Sequence, residues 1–175
     1  MAQPASMTLY EPAFEHDSCG FGLVAQIDGR ASTWVVDTAF DALAKLSHRG
    51  GVNADGISGD GCGVLIHRPA PWLRAMAAEV GIVPAERFAA GLVFLDPAGG
   101  ELAAIEFERH LDEAGLVLAG WRDVAIDMDV CGPLASATCP RVRQVFVNAG
   151  MTMDDGAFER ALFRARRRAE AALKQ

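Results

Sequence analysis

The spacing of apolar and polar residues along the chain predicts a mixture of helices and strands. Apolar residues at helical spacing predict helices over 34–47, 72–80, 101–114 and 154–173. Apolar or alternating runs bounded by turn residues predict strands over 19–27, 62–67, 88–95, 116–126 and 141–147. Such a mixture is typical of a layered α/β or α+β domain, and the pattern leaves both parallel and antiparallel sheets open.

Local signals refine these elements. Ser32 or Thr33 is the expected N-cap of the first helix, and Asp154 that of the last. The apolar positions of the strand at 116–126 place Trp121 on its core side. Glycines and aspartates fill residues 52–63, which are therefore predicted to form a loop.

Composition and charge narrow the function classes. The chain has 175 residues, of which 51% are apolar and 22% charged, as expected for one globular core. Its net charge of −7 argues against nucleic acid or an anionic membrane as partner. The basic cluster Arg164 and 166–168 is predicted to be a solvated helix face. The sequence shows no secretory signal and no apolar run long enough for a membrane span, which predicts a reducing, cytoplasmic location.

Cys19 is the candidate nucleophile, since it precedes a strand-like run and is followed by Gly20 and Gly22. A thiol attacks a carbonyl carbon as the thiolate, so a base is needed. Cleavage before Cys19 would give that residue a free α-amino group, whose pKa of about 7.7–8.0 suits a base at neutral pH. The alternative interpretation is a small buried thiol at the start of a strand.

Arg49 is the candidate substrate-binding residue, because it follows a predicted helix and stands before Gly50 and Gly51. Its guanidinium group can bind a carboxylate through two parallel hydrogen bonds. The alternative is a surface arginine at the helix C-terminus. Asp55 and Asp60 precede glycines, and turn formation is favoured for them over a catalytic role.

Five stretches of the sequence together resemble the class II glutamine amidotransferase domain of the glutamate synthase large subunit, an N-terminal-nucleophile hydrolase. They are residues 9–18, Cys19-Gly20-Phe21-Gly22, His48-Arg49-Gly50-Gly51, Ala54-Asp55 and Gly59-Asp60-Gly61-Cys62-Gly63. Residues 140–147 are also similar to the family. The resemblance is most specific over residues 9 to about 66 and looser beyond.

The resemblance implies residues 1–18 as a propeptide and residues 19–175 as the N-terminal part of an α+β fold, an αββα sandwich that is incomplete here. It also implies that Cys19 attacks the side-chain amide of glutamine and that Arg49 holds the glutamine α-carboxylate. The ammonia released would aminate 2-oxoglutarate in a downstream synthase domain. The resemblance implies no cofactor or metal in this chain, and FMN and an iron–sulfur cluster in the full-length enzyme. The implied partners are the rest of that polypeptide and a small electron-transfer subunit.

The sequence departs from the family in one respect. The Asn-Gly pair that supplies the family's oxyanion hole is absent. The acidic residue that holds the substrate amino group is also expected further downstream. We therefore expect this chain to be the first part of a larger domain and to be inactive alone. Two alternatives stay open: a non-catalytic truncated fragment, and a different amidotransferase with an N-terminal cysteine. Cys62, Cys131 and Cys139 are expected to be buried thiols rather than cluster ligands.

Overall fold

The computed structural model of the protein describes residues 20–46, 50–59, 61–67 and 69–174. The chain divides into two compact units between Leu65 and Ile66. The first unit contains helix α1 (Thr33–Lys45). The second contains the other named elements, which are α2 (Ala70–Glu79), β1 (Phe88–Leu95), α3 (Gly100–Glu113), β2 (Val117–Asp123), α4 (Pro133–Ala137), β3 (Arg141–Asn148) and α5 (Asp155–Ala172).

Most of the predicted elements are confirmed. The four predicted helices correspond to α1, α2, α3 and α5, and three of the predicted strands correspond to β1, β2 and β3. Helix α4 was not predicted, because its five residues are too few to show a helical period. The fold is therefore a mixed helix-and-strand structure with a small sheet.

The strands predicted over 19–27 and 62–67 are wrong for the residues described there. Residues 20–27 and 61–67 are not in strands. Phe21, Leu23 and Leu65 are exposed although their side chains favour strands. A strand forms only where a neighbouring backbone accepts and donates its hydrogen bonds, and local sequence does not supply that neighbour.

The sheet of the second unit is antiparallel and has the strand order β1-β3-β2. Its central strand pairs along its length with both neighbours: Phe146 lies opposite Ala90 and Gly120, and Val145 lies opposite Gly91 and Trp121. This arrangement decides between the two sheet types that the sequence left open.

One face of the sheet is covered by α3 and α5. The buried residues of this layer are Leu111, Leu116, Val145, Val147, Phe158, Ala161 and Ala165. In α5 they recur every three or four residues, so one stripe of the helix is buried, in keeping with the helical spacing of apolar residues from which this helix was predicted. The basic residues Arg164 and 166–168 lie on the exposed part of α5, as predicted.

The opposite face of the sheet is covered in part by α2. Phe88 and Phe146 pack there with Ala77 and Ile82. Further along the same face, Leu92 and Phe94 are exposed, because α2 does not extend over them. The second unit thus has one helix-covered face and one face that is partly open.

A bulge in β2 lets the chain approach Ile82. Gly120 has φ +155°, and a Cβ at this position would lie 2.8 Å from two side-chain atoms of Ile82. The pairing register between β2 and β3 shifts between Leu118 and Gly120. A glycine fits this position because it has no Cβ: it adopts the unusual φ and leaves room for the side chain of Ile82.

Of the two predicted N-caps, one makes a capping hydrogen bond and the other does not. Asp154 is the N-cap of α5, and its carboxylate accepts a hydrogen bond of 2.6 Å from the N–H of Ala157, as predicted. Ser32 occupies the N-cap position of α1, but its side chain makes no capping hydrogen bond. Its hydroxyl donates instead to the side-chain carbonyl of Gln26 at 2.9 Å.

Candidate functional site

The two predicted site residues, Cys19 and Arg49, lie outside the described residues, and so do Asp60 and the predicted propeptide. The described residues nearest to Cys19 in sequence are exposed. A Cβ built on Gly22 would meet no atom within 4 Å. Gly22 therefore has open space beside its backbone.

Helix α1 leads to the stretch that contains Arg49. It ends at Lys45, two residues before the predicted end. The N–H of Leu46 donates to the carbonyl of Leu43 at 3.0 Å and completes the last turn. The chain therefore leaves the helix before Arg49, and Gly50 and Gly51 follow as exposed residues.

Residues 51–59 form a closed hairpin loop. Val52 and Gly59 make an antiparallel bridge, and the N–H of Asn53 donates to the carbonyl of Ser58 at 2.7 Å. At the tip, Gly56 has φ +70° and donates its N–H to Asn53 at 2.9 Å. Only glycine adopts this φ without strain, so the sequence is suited to a tight turn at this position.

The carboxylate of Asp55 lies at the centre of the hairpin. Its Oδ1 accepts hydrogen bonds from the backbone N–H groups of Ile57 at 3.1 Å and Ser58 at 2.8 Å. Its Oδ2 accepts a 2.6 Å hydrogen bond from the hydroxyl of Ser58. The predicted turn role of Asp55 is confirmed, since both carboxylate oxygens are used to hold the loop.

The structure adds Ser58, which the sequence reasoning did not single out. Its side chain is buried and bonded to Asp55. The sequence does contain a signal for this contact, the Asp-x-x-Ser spacing of residues 55–58. At this spacing the aspartate carboxylate can accept hydrogen bonds from both the backbone N–H and the hydroxyl of the serine three residues later.

The cysteines of the described residues do not form a metal site. Cys62 is exposed, so the prediction of a buried thiol is wrong for it, because the strand expected to bury it does not form. Cys131 and Cys139 are half-buried, and their thiols lie near the backbone carbonyls of Asp127 and Pro140. Within 20–46, 50–59, 61–67 and 69–174, no group of three His, Cys, Asp or Glu residues could hold a metal ion.

The second unit contains a cleft of about 340 Å³ beside β1. It is lined by Ile66, Pro69, Ala70, Leu73, Arg87, Phe88, Ala89, Ala90, Asp155, Phe158 and Glu159. The guanidinium of Arg87 is engaged with Asp155 at 2.6 Å and with the carbonyl of Met153 at 2.6 Å. The described lining residues include no thiol, hydroxyl or imidazole, so the cleft offers no counterpart to the thiol nucleophile that the sequence predicts.

The shifted pKa values of the second unit belong to surface ion pairs. Hydrogen bonding with Arg109 lowers the pKa of Glu106 on α3, and the same contact raises the pKa of Arg109. Hydrogen bonds to Asp123 and Glu101 raise the pKa of Arg141 on β3. The contacts of Arg141 link β3 to β2 and α3, whereas the pair Glu106–Arg109 lies within α3. None of these residues was predicted as a site residue.

None of the helices in the described part of the chain is both long and apolar enough to cross a membrane.

Comparison with known proteins gives a family match over most of the chain. The model of the family described as glutamine amidotransferases class-II matches residues 19–175. The match begins at the cysteine that the sequence singles out as the candidate nucleophile.

Curated relatives are similar along nearly the whole chain. The glutamate synthase (NADPH) large chain of Bacillus subtilis (strain 168) is 36% identical over 170 residues, which are 95% of this chain and 11% of the relative. The protein of the same name from Azospirillum brasilense is 36% identical over 169 residues, which are 94% of this chain and 11% of that relative. The ferredoxin-dependent glutamate synthase 1, chloroplastic/mitochondrial, of Arabidopsis thaliana is 31% identical over 175 residues. The match covers 98% of this chain and 11% of that relative. This chain thus spans 11% of the length of each of these relatives.

Proposed function

The chain belongs to the class-II glutamine amidotransferases, and we propose that it is the glutamine-hydrolysing part of a glutamate synthase. The observation that carries this proposal is the similarity to several glutamate synthases over 94–98% of the chain. The family match from residue 19 onwards supports the same assignment. The resemblance of the short motifs to glutamate synthase is confirmed by these comparisons.

In the proposed reaction, the thiolate of Cys19 attacks the side-chain amide carbon of glutamine. The carbon–nitrogen bond breaks, the nitrogen leaves as ammonia after taking a proton, and a γ-glutamyl thioester forms on the cysteine. Water then attacks the thioester, releases glutamate and restores the thiol. The α-amino group of Cys19 is the proposed base in both steps, because it lies on the same residue as the thiol.

This base exists only if the bond between Ser18 and Cys19 is cut. We therefore propose that residues 1–18 are a propeptide and that residues 19–175 begin the mature domain. While the propeptide is attached, the nitrogen of Cys19 is an amide and accepts no proton at neutral pH. The start of the family match at residue 19 supports this boundary.

Arg49 is the proposed ligand of the glutamine α-carboxylate. Its planar guanidinium group matches a carboxylate through two parallel hydrogen bonds. The described residues that follow it in the sequence include the hairpin 51–59, in which Asp55 and Ser58 are hydrogen-bonded. The 175-residue sequence contains no Asn-Gly pair, so we propose that the oxyanion donors come from elsewhere in a longer protein.

The proposed complete fold is the αββα sandwich of N-terminal-nucleophile hydrolases. Two features of the second unit support it. Helices α3 and α5 cover one face of an antiparallel sheet, as in one half of such a sandwich. The other face exposes Leu92 and Phe94, and a second sheet packed there would bury them.

The ammonia is proposed to aminate 2-oxoglutarate in a synthase domain of the same protein. FMN and an iron–sulfur cluster are proposed for that domain, where they would supply the reducing electrons, together with a small electron-transfer subunit as partner. Within the described residues, no group of His, Cys, Asp or Glu side chains could hold the metal ions of such a cluster. No step at Cys19 depends on them.

Labelling by a glutamine analogue tests the proposal in the full-length protein that carries this chain. A γ-diazoketone analogue should alkylate the thiol of Cys19 in protein whose N-terminal residue is Cys19. Intact mass and N-terminal sequencing identify both the cleavage and the label. Labelling without glutamine-dependent glutamate formation from 2-oxoglutarate would indicate a different amidotransferase. A processed protein that is not labelled would overturn the proposed function.

A further inference from the structure

The two outer strands of the sheet in the second unit have edges of different character. Among the described residues, β1 and β2 each pair with β3 alone. The strand β2 carries features that discourage further pairing, because it has a bulge between Leu118 and Gly120 and ends in the charged residues Arg122 and Asp123. The strand β1 has eight residues without a charge, a proline or a bulge, so its edge is suited to pairing.

The backbone of β1 presents a regular row of polar groups along its outer edge. The N–H of Ala149 donates to the carbonyl of Arg87 at 3.1 Å, which makes these two residues a hydrogen-bonded pair. In antiparallel strands such pairs alternate with pairs whose N–H and C=O groups point away from each other. The unbroken register therefore turns four residues of β1 outward, which are Phe88, Ala90, Leu92 and Phe94. Their backbone groups have no hydrogen-bond partner among the described residues.

The cleft of about 340 Å³ lies at one end of this edge. Residues 88–90 line it from both faces of β1, so it opens on the edge of the strand. Its walls include Leu73 of α2 and Phe158 of α5, two helices that pack on opposite faces of the sheet. A space between two helix layers and beside a strand edge is the position of the next strand in a sheet.

We propose that the outer edge of β1 pairs with a further strand, supplied by the part of a longer protein that lies outside this chain. Pairing would satisfy the outward N–H and C=O groups, as in the recognition of an extended segment by strand addition. The side chains of the added strand that enter the cleft are apolar, to match Leu73 and Phe158. The relatives favour this source, because this chain spans only 11% of their length.

A second copy of this chain is the other source of a strand, and the cleft argues against it. In a dimer joined edge to edge at β1, each copy would bring its own α2 and α5 to the shared edge. These helices already line the cleft beside residues 88–90. Two such pairs of helices would meet at the same place, whereas a single strand fits between α2 and α5.

Hydrogen exchange of the β1 amides tests the pairing in the full-length protein that carries this chain. Electron-transfer fragmentation of the deuterated peptides gives an exchange rate for each amide. We expect the outward amides of Ala90, Leu92 and Phe94 to exchange within about tenfold of the inward amides between them. On an unpaired edge, protection would alternate along the strand, and the outward amides would exchange at least about a hundredfold faster than the inward ones.

Leu92→Pro and Leu92→Ala form a matched pair of variants. Proline removes the outward N–H of residue 92, whereas alanine keeps it and also shortens the side chain. With a neighbouring strand in place, Leu92→Pro should speed the exchange of Ala90 and Phe94 by about tenfold, the effect of one lost hydrogen bond. Leu92→Ala should leave both rates within about threefold of the wild type. The amide of Phe146 shows whether the sheet is retained in each variant; where it is not, the wild-type pattern decides.

Photo-cross-linking from residue 92 identifies the source of the strand. The variant Leu92→p-benzoylphenylalanine of the full-length protein should give a cross-linked peptide from outside residues 1–175. Mixing protein of natural and heavy isotope composition distinguishes a cross-link within one molecule from one between two copies.

Three results would overturn the inference. Alternating protection in the wild type would show that the edge is unpaired. Equal exchange rates in folded Leu92→Pro and Leu92→Ala would show that the outward N–H has no partner. Cross-links only within residues 1–175, or between two copies, would exclude the proposed source. None of these measurements uses the reaction at Cys19, so a protein that the glutamine analogue does not label would contradict the proposed function and leave this inference standing.

Discussion

The indole N–H of Trp121 donates a hydrogen bond of 2.6 Å to the carboxylate of Glu108 and so joins β2 to α3. The ring also contacts Phe107, at 6.1 Å between ring centroids, and the guanidinium of Arg143 lies 4.7 Å from its centre. Trp121 is therefore on the core side of its strand, as the sequence predicted. The strand and helix are linked through a polar contact at the edge of an apolar layer.

Removing this donor should lower stability while the fold is retained. In Trp121→Phe the carboxylate of Glu108 loses its partner, and we expect a decrease of about 1–3 kcal/mol in the free energy of unfolding. Urea unfolding followed by circular dichroism measures the decrease. Trp72→Phe is the control, because Trp72 on α2 is exposed. Equal effects of the two substitutions would show that the hydrogen bond is not the cause.

The packing of the sheet face beneath α2 depends on Phe146. It is fully buried on the central strand. Phe146→Ala should lower the free energy of unfolding by about 3–5 kcal/mol, since it removes a large side chain from a closed site.

Phe94→Ala is the control on the same face of the same sheet. Phe94 is 66% exposed, and its truncation should cost less than about 1 kcal/mol. A cost for Phe94→Ala as large as that for Phe146→Ala would mean that the open part of this face is covered in solution. Urea unfolding of both variants decides between these outcomes.

Glu106 predicts a dependence of stability on pH. Its folded-state pKa is lowered from the ordinary 4.5, mainly by the hydrogen bond with Arg109, and His110 also faces it, with 3.2 Å between its Nε2 and the carboxylate. A lowered pKa contributes stability that is present above the ordinary pKa and is lost as the pH falls through the folded-state value. The stability advantage of the wild type over Glu106→Gln should therefore be greatest at neutral pH and shrink below pH 4.5.

Urea unfolding from about pH 7 to about pH 3 measures this advantage. Glu86→Gln is the control, because Glu86 is an exposed carboxylate outside α3. A difference between wild type and Glu106→Gln that is constant over this range would contradict the role of the ion pair.

Cys19 carries the proposed chemistry. Its substitution should therefore abolish the use of glutamine as a source of ammonia but not the use of added ammonia. In the full-length protein, Cys19→Ala should reduce glutamate formation from glutamine to background, because no thioester can form. Glutamate formation with added ammonia should persist. Cys131→Ala, which removes a half-buried thiol of the second unit, should leave both rates near those of the wild type. Glutamine-dependent activity in Cys19→Ala would exclude this cysteine as the nucleophile.

The hairpin 51–59 shows which features of the candidate site can be predicted from the sequence. The glycines and aspartates of residues 52–63 predicted a loop and a turn role for Asp55, and the described residues confirm both. The role of Ser58 was not predicted, because a serine three residues after an aspartate is common and only folding shows whether its hydroxyl is buried. The roles of Cys19 and Arg49 stay predictions, since both lie outside the described residues.

The sequence by itself determined the elements whose signals are local. Helical spacing located α3 and α5, alternation located β3, and Asp154 marked the start of α5, because each signal depends on residues a few positions apart. The short motifs around Cys19 and Arg49 also sufficed to indicate the family.

Only the tertiary structure decided which strands form and how they are ordered. It placed β3 between β1 and β2 in an antiparallel sheet, and it left residues 20–27 and 61–67 outside any strand although their composition favours one. The physical reason is that a helix makes its hydrogen bonds within itself, whereas a strand needs a partner from a distant part of the chain. The bulge at Gly120 likewise depends on Ile82, which is far from it in sequence.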